Sequence, residues 1–209
     1  RTYVPPPPYR APWWLPGRHL QTVWPALVLR PRPPHYRRER WRNGLGWTRE
    51  ILRSPQNGED WDWRLSIAEI ECDGPFSSFP GVERELVLLH GHGVRLRFED
   101  GDVCDVEPPH GRVRFAGERV VSGELIDGPT HDFNLMWRRD RIDAELWHRP
   151  LVGSMVLFAE PDDVWVVHLL SGRALAIDAV NRVNASMGDT LVLRAVPERA
   201  RFALDGMPG

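Results

Sequence analysis

The stretch VRLRF, residues 94–98, alternates apolar and arginine side chains at every step. A period of two separates Val94, Leu96 and Phe98 from Arg95 and Arg97 only if the backbone is extended. The same period recurs along the chain. WDWRLSIAEI places Trp63, Leu65 and Ile67 on one face, with Arg64, Ser66 and Ala68 on the other. GRVRF repeats the pattern with Val113 and Phe115, and DFNLMW sets Phe133, Leu135 and Trp137 against Asp132, Asn134 and Met136. MVLFAE, VWVVHLL, RALAID and DTLVLRAV are further short apolar runs, with Gly, Pro, Asp and Asn between them. No segment carries a convincing helical period. Short strands at this spacing predict an all-β antiparallel sandwich or barrel.

Two stretches share one plan. ELVLLHGHGVRLRFEDG and VVHLLSGRALAIDAV each read as apolar strand, glycine-containing turn, apolar strand. AGERVVSGEL and MGDTLVL each supply a later Gly-acidic turn into a strand. Two β-barrel halves built alike would produce this. Residues 1–40 differ in texture. VPPPPYRAPWWLPG and LRPRPPHYRRER are rich in proline, tryptophan and arginine, and Pro5 to Pro8 should be extended polyproline II. This segment is expected to form an extended N-terminal arm, laid on another surface or serving as a docking strand, because Trp13, Trp14 and Trp24 would be a liability if exposed.

Composition narrows the function. The formal net charge is −2 over 209 residues, which gives no electrostatic case for nucleic acid or an anionic membrane. All 27 basic residues are arginines, so any carboxylate recognition here would use a guanidinium fork. Cys72 and Cys104 are too few for a disulfide framework and lack zinc-finger spacing. No apolar run approaches the roughly 18 residues of a spanning helix, and no signal-peptide pattern opens the chain. A cytoplasmic protein is the expectation.

The LLHGHG stretch poses the question of a metal. His90 and His92 would share a strand face, and His-x-His on a strand is a metal-holding pattern. A third ligand is needed, yet the next acidic residues, Glu99 and Asp100, lie beyond the following strand. Gly91 and Gly93 flank His92, so the stretch reads as a hairpin turn, and no metal or other cofactor is expected. GPFSSFPG, residues 74–81, is a rigid non-periodic loop offering Ser77, Ser78, Phe76 and Phe79, with Arg84 just after it. In WRNGLGWTRE, Asn43 reads as a turn residue, while Thr48 and Arg49 should point oppositely, so that only one can face a shared pocket. Asn134 and Asp132 share a face. Asn134 suits a polar lumen, where its amide could read a carboxamide or formimino group, and Asp132 could instead pair with Arg138 or Arg139. No nucleophile–base spacing for catalysis is recognisable.

WRNGLGWTREI, WRLSIAEIECDGPFSSFPGVERELVLLHGHGVRL and LIDGPTHDFNLMWRR, in this order, resemble successive blocks of the HutD/Ves family over residues 41–209. The resemblance implies a cupin-type fold with two jelly-roll-like barrels. The expected halves are residues 41–143 and a smaller 144–209. In the family block two glycines follow the Asn, whereas Leu45 here separates Gly44 and Gly46. A leucine forced to positive φ would cost about 1 kcal/mol or more. Residues 1–41, with APWWLPGRHLQTVWPALVLRPRP, resemble the opening of the YheT-like α/β-hydrolases without their nucleophile elbow.

The first resemblance implies a non-catalytic binding protein associated with histidine utilisation. Its ligand would be a small carboxylate intermediate such as formiminoglutamate or urocanate, held in a regulatory or buffering role. Arg84 would hold the carboxylate. Ser66, Ser77 and Asn134 would make polar contacts, with Asn43, Thr48 and Arg49 as further candidates and Trp63 and Phe79 as apolar walls. A homodimer is compatible with this reading. The alternative is a cupin enzyme acting on a similar molecule, either metal-free or with a metal on His90 and His92.

Overall fold

The computed structural model describes residues 27–30 (backbone), 38–41, 43–58, 60–195 and 198–207. Among these residues every regular element is a β-strand. Among the described residues no helix is long and apolar enough to cross a membrane. The chain opens with β1 (Leu27–Arg30), β2 (Arg38–Arg40), β3 (Gly46–Ser54), β4 (Trp63–Ile70) and β5 (Gly74–Pro75). It continues with β6 (Val82–His90), β7 (Val94–Phe98), β8 (Val103–Val106), β9 (Arg112–Ala116), β10 (Val121–Leu125) and β11 (Thr130–Arg138). The rest comprises β12 (Ser154–Ala159), β13 (Val164–His168), β14 (Arg173–Ile177), β15 (Arg182–Ser186), β16 (Thr190–Arg194) and β17 (Ala200–Met207).

The described strands form four antiparallel sheets. A six-stranded sheet of order β2-β3-β4-β11-β6-β9 faces a four-stranded sheet of order β5-β10-β7-β8. Their inner faces share one apolar core, in which Ile70, Leu86, Leu88 and Phe115 of the first meet Val94, Leu96, Phe98, Val106 and Val121 of the second. The alternation read from VRLRF holds. Val94, Leu96 and Phe98 are buried, while Arg95 and Arg97 pair with Asp105 and Glu124 outside. A second pair of sheets, β1-β16-β13 and β12-β17-β14-β15, encloses Leu157, Ala176, Leu191, Leu193, Phe202 and Leu204.

The strand orders β5-β10-β7-β8 and β12-β17-β14-β15 match place for place. So do the pairs β6·β9 and β13·β16. The repeat read across LLHGHG and LLSGR therefore joins equivalent strands, β6–β7 and β13–β14. The second pairing, of AGERVVSGEL with MGDTLVL, is displaced by one strand: it compares β9–β10 with β15–β16. The residues described within 1–40 carry two strands, which join different halves. β1 pairs with β16 and β2 with β3. The remainder of the expected arm, including the polyproline run and the three tryptophans, lies outside the described residues.

Two turns clarify local chemistry. Gly44 holds the left-handed conformation at φ 74°, and Leu45 does not share it, so the leucine carries no such strain. Asn43 caps this turn through its side-chain oxygen, which accepts from the Leu45 amide at 3.1 Å. The LLHGHG turn is not a hairpin. β6 bonds to β11 and β9, whereas β7 bonds to β10 and β8, so the turn is a corner between the two sheets. Gly91 and Gly93 sit at φ 98° and 114°, and an added Cβ would meet Pro129 O at 2.6 Å and Val106 O at 2.5 Å.

The outer face of the six-stranded sheet is also covered. Leu65, Leu135 and Trp137 pack with Trp63, Phe133, Ile142, Leu146 and Val166, the last from β13 of the second half. The two faces of β4 and β11 therefore have different neighbours. One lines the first barrel and the other meets the second half and the segment that leads to it.

Candidate functional site

Register fixes which polar residues line the first barrel. Ser66 pairs across β4 and β11 with Asn134, and Asn134 pairs across β11 and β6 with Leu86. One step of two residues away, Met136 pairs with Arg64 on one side and Arg84 on the other. One step in the opposite direction, Asp132 pairs with Ala68 and Leu88. Since side chains two apart share a face, Arg64, Arg84, Ser66, Asn134 and Asp132 all point inward with Leu86 and Leu88.

Arg84 is the chemically unusual member. It is buried, at 6% exposure, and no carboxylate pairs with it among the described residues. Its Nη1 donates to the Ser77 carbonyl at a long 3.4 Å, and its Nε has no partner. Three phenyl rings surround the guanidinium: Phe115 at 5.2 Å, Phe76 at 5.3 Å and Phe79 at 5.6 Å. Burial, with the nearby positive charge of Arg64, brings its pKa down to about 10, so the group remains cationic at neutral pH. Arg64 differs in having a counter-ion. Its Nε lies 2.8 Å from Glu50 Oε2, off the line of the N–H, so the contact is ionic rather than a directed hydrogen bond.

Two more polar groups are incompletely satisfied. Asn134, at 7% exposure, has no partner for Oδ1. Asp132 is fully buried; Thr130 Oγ1 donates to its Oδ2 at 2.9 Å, while Oδ1 has no partner. Burial raises its pKa to about 7, against the opposing effect of the Thr130 bond. Asp132 is therefore not the partner of Arg138 or Arg139. Those side chains lie outside the barrel, on Asp60 and on Glu83 and Glu118.

The other expected site residues divide. Ser66 is buried on the lumen face, and Phe79 contributes to the ring around Arg84. Ser77 takes part through its backbone carbonyl, with its side chain exposed. Thr48 is on the lumen side, beside Ala68, where its Oγ1 accepts from Trp41 Nε1 at 2.8 Å. Three residues lie elsewhere. Asn43 is an exposed turn residue. Arg49 points to the outer face, where its Nε is 2.5 Å from Glu69 Oε1, and Arg38 holds the other oxygen of Glu69. Trp63 is on the outer face as well, because it is odd in step with Ser66. That alternation was already present in WDWRLSIAEI and excludes Trp63 from any cavity containing Ser66.

His90 and His92 do not converge. His92 is 70% exposed at the side chain and its Nδ1 lies 3.0 Å from the Asp127 carbonyl oxygen. His90 instead meets His131 edge to face, at 5.9 Å between ring centres. No group of three His, Cys, Asp or Glu side chains suited to a metal is found among the described residues. Surface depressions also occur away from the barrel lumen. One of about 440 Å³ is lined by Arg114, Trp137, Arg139, Asp140, Arg141 and Asp143, with Arg114, Arg139 and Arg141 each in ion pairs. Sequence reasoning missed Arg64 and Phe115 as lumen residues, while Phe76 was named with its loop. The shared face of Arg64 and Ser66 was the available signal for the first.

The family model described as HutD matches residues 34–207. An uncharacterised 21.2 kDa protein in the hutC 3′ region of Pseudomonas putida is 42% identical over 116 residues, 55% of this chain and 60% of that protein. Protein Ves of Citrobacter koseri is 44% identical over 107 residues, 51% of this chain and 56% of Ves. The matched part thus spans less than two-thirds of either curated relative. The solved structure of HutD from Pseudomonas fluorescens SBW25, in a formate condition, aligns at TM-score 0.61 and 27% identity over 87% of this chain and 94% of that one. The resemblance of residues 1–41 to YheT-like hydrolases is not borne out. The family match begins at residue 34, and most of that segment lies outside the described residues.

Proposed function

The chain belongs to the HutD family, and from that premise we propose that it binds a small carboxylate metabolite of histidine utilisation inside the first barrel. One observation carries the reading: Arg84 is a buried guanidinium with no carboxylate paired to it among the described residues. Desolvating an unpaired ion costs several kcal/mol, and only a counter-ion or its equivalent offsets that cost. Three aromatic faces offset part of it, each by about 0.5–2 kcal/mol at most. A ligand carboxylate placed on the guanidinium would complete the site, and the fork geometry favours two parallel N–H···O bonds. Asn134 and Ser66 then read the body of the ligand. The name of the Pseudomonas putida relative, which places it in the hutC 3′ region, supports histidine breakdown as the setting. The role is retention or sensing of the ligand.

Isothermal titration with urocanate, formiminoglutamate and formate tests this. Wild type should bind at least one of them, and Arg84→Met should lose the affinity by about 100-fold or more, the scale of a buried charge-assisted pair. Equal binding by Arg84→Met would remove the basis of the proposal.

A further inference from the structure

The two halves treat equivalent sheet faces differently. β7 and β14 hold the same place in β5-β10-β7-β8 and β12-β17-β14-β15. In VRLRF of β7 the apolar residues point inward, and Arg95 and Arg97 face out in ion pairs with Asp105 and Glu124. In RALAI of β14 the larger residues are reversed: Ala174 and Ala176 fill the second core, while Leu175 and Ile177 face out. β12 is apolar on both faces too. Leu157 and Ala159 are buried in the core, and Val156 and Phe158 stand on the outer face at 41% and 48% exposure. Strands with apolar residues on both faces are those covered on both.

Register assembles these residues into one patch. Val156 and Ile177 flank Ala203 of β17 in a single row. Two residues along β17 in one direction, Phe158 pairs with Arg201; two residues in the other, Ser154 and Leu175 flank Asp205. The patch ends beyond Phe158, whose ring carries the Arg199 guanidinium at 4.7 Å, and Arg199 is held in turn by Glu160 at 2.9 Å. Arg201 and Asp205 have no ion-pair partner among the described residues.

Opposite charges placed symmetrically about a central alanine make the patch its own complement. We propose that the outer face of β12-β17-β14-β15 is an interface between two copies of this chain. A two-fold axis lying between the two sheets, along the row Val156–Ala203–Ile177, lays each strand antiparallel to its counterpart. Sheets packed face to face keep their strands within about 30° of alignment, which this arrangement allows. Arg201 of each protomer then faces Asp205 of the other, so the ion pair forms twice. Phe158 lies over the small Ser154 of the other protomer, and the apolar row closes on itself at the axis. Arg182, next in that row on the edge strand β15, is exposed and remains at the solvated rim. The charges decide the occupant: symmetry alone supplies a second copy with both of them at the matching spacing.

Sedimentation velocity on the full chain tests this. Wild type should be dimeric at micromolar concentration. The double variant Leu175→Arg/Ile177→Arg, which copies the pattern of β7, should be monomeric with an unchanged far-UV circular dichroism spectrum. Arg201→Asp alone and Asp205→Arg alone should each weaken self-association by about 100-fold or more, since like charges then meet at both contacts. An equimolar mixture of those two variants should recover a heterodimer, and Arg201→Asp/Asp205→Arg in one chain should recover a homodimer. Mere loss of stability predicts no such rescue. A wild type that stays monomeric would overturn the proposal and leave the face to another occupant. So would a dimer that survives Leu175→Arg/Ile177→Arg, or single variants that associate like wild type, or a mixture that shows no rescue. The wild-type and mixing measurements stand even if the double-arginine variant does not fold.

Discussion

At the scale of single residues, the sign of a stability change separates a ligand anchor from a structural ion. Arg84 has no carboxylate to lose among the described residues, only a long bond to the Ser77 carbonyl and three phenyl faces, so Arg84→Met should raise the stability of the free protein by about 1–3 kcal/mol in urea melts while abolishing binding. A drop in stability would mean the guanidinium has a structural role. Buried Asp132 and half-buried His168 carry large, opposing shifts. Asp132 titrates at about 7 when folded against an ordinary 3.8, so its contribution is lost as pH rises through that window. His168 is lowered by burial, and by Arg49, to about 4 from 6.5, so its contribution is lost as pH falls through that range. Each is worth a few kcal/mol and the two slopes oppose. Asp132→Asn should therefore expose a stability that rises from pH 4.5 to 7.5, and His168→Gln one that falls. Identical profiles in wild type and both variants would refute the linkage. Residue type alone pointed to Arg84, Asn134 and Ser66. The alternation already set Thr48 against Arg49 and Trp63 against Ser66, and register decides each pair: Thr48 and Ser66 face the lumen, Arg49 and Trp63 the outer face. Asp132 was visible on the right face, but its having no arginine partner among the described residues is a property of burial that no spacing encodes.

At the scale of the element, LLHGHG shows where a motif's constraint resides. Both glycines are left-handed and both press against backbone carbonyls, whereas His92 is exposed. Gly93→Ala should cost more than about 2 kcal/mol, combining strained φ with a steric clash, while His92→Ala should stay within about 0.5 kcal/mol. Differential scanning calorimetry on the two variants decides it; comparable losses would place the constraint on the imidazole. Strand positions were largely readable, since the period of two is local: β7 and β9 alternate in burial as written in the sequence, and β4 and β11, covered on both faces, keep the two faces read there. Partners were not readable. A turn of the same composition can return a strand along its own sheet or carry it across to the facing one, and the choice depends on which edges are already occupied.

At the scale of the whole molecule, the halves share a boundary built from Leu65, Leu135, Trp63, Phe133 and Val166. Phe133 also stacks on His168 at 5.7 Å between ring centres. Leu65→Ala should cost about 2–4 kcal/mol and shift a single cooperative transition. Two separated transitions, only one of them moved, would show that the halves melt independently. The matching turns of LLHGHG and LLSGR were legible as equivalent strand connections, but the crossing of β1 to β16 was not, because a proline-rich segment gives no period to follow. That crossing sets an order of events in time. Leu27, near the start of the described chain, pairs with Leu193, near its end. On a ribosome adding about 5–20 residues per second, β1 must wait many seconds with its backbone unpaired until β16 emerges. Contacts this distant in sequence are the slow ones in folding, so the second half should close late and depend on protection of that early strand.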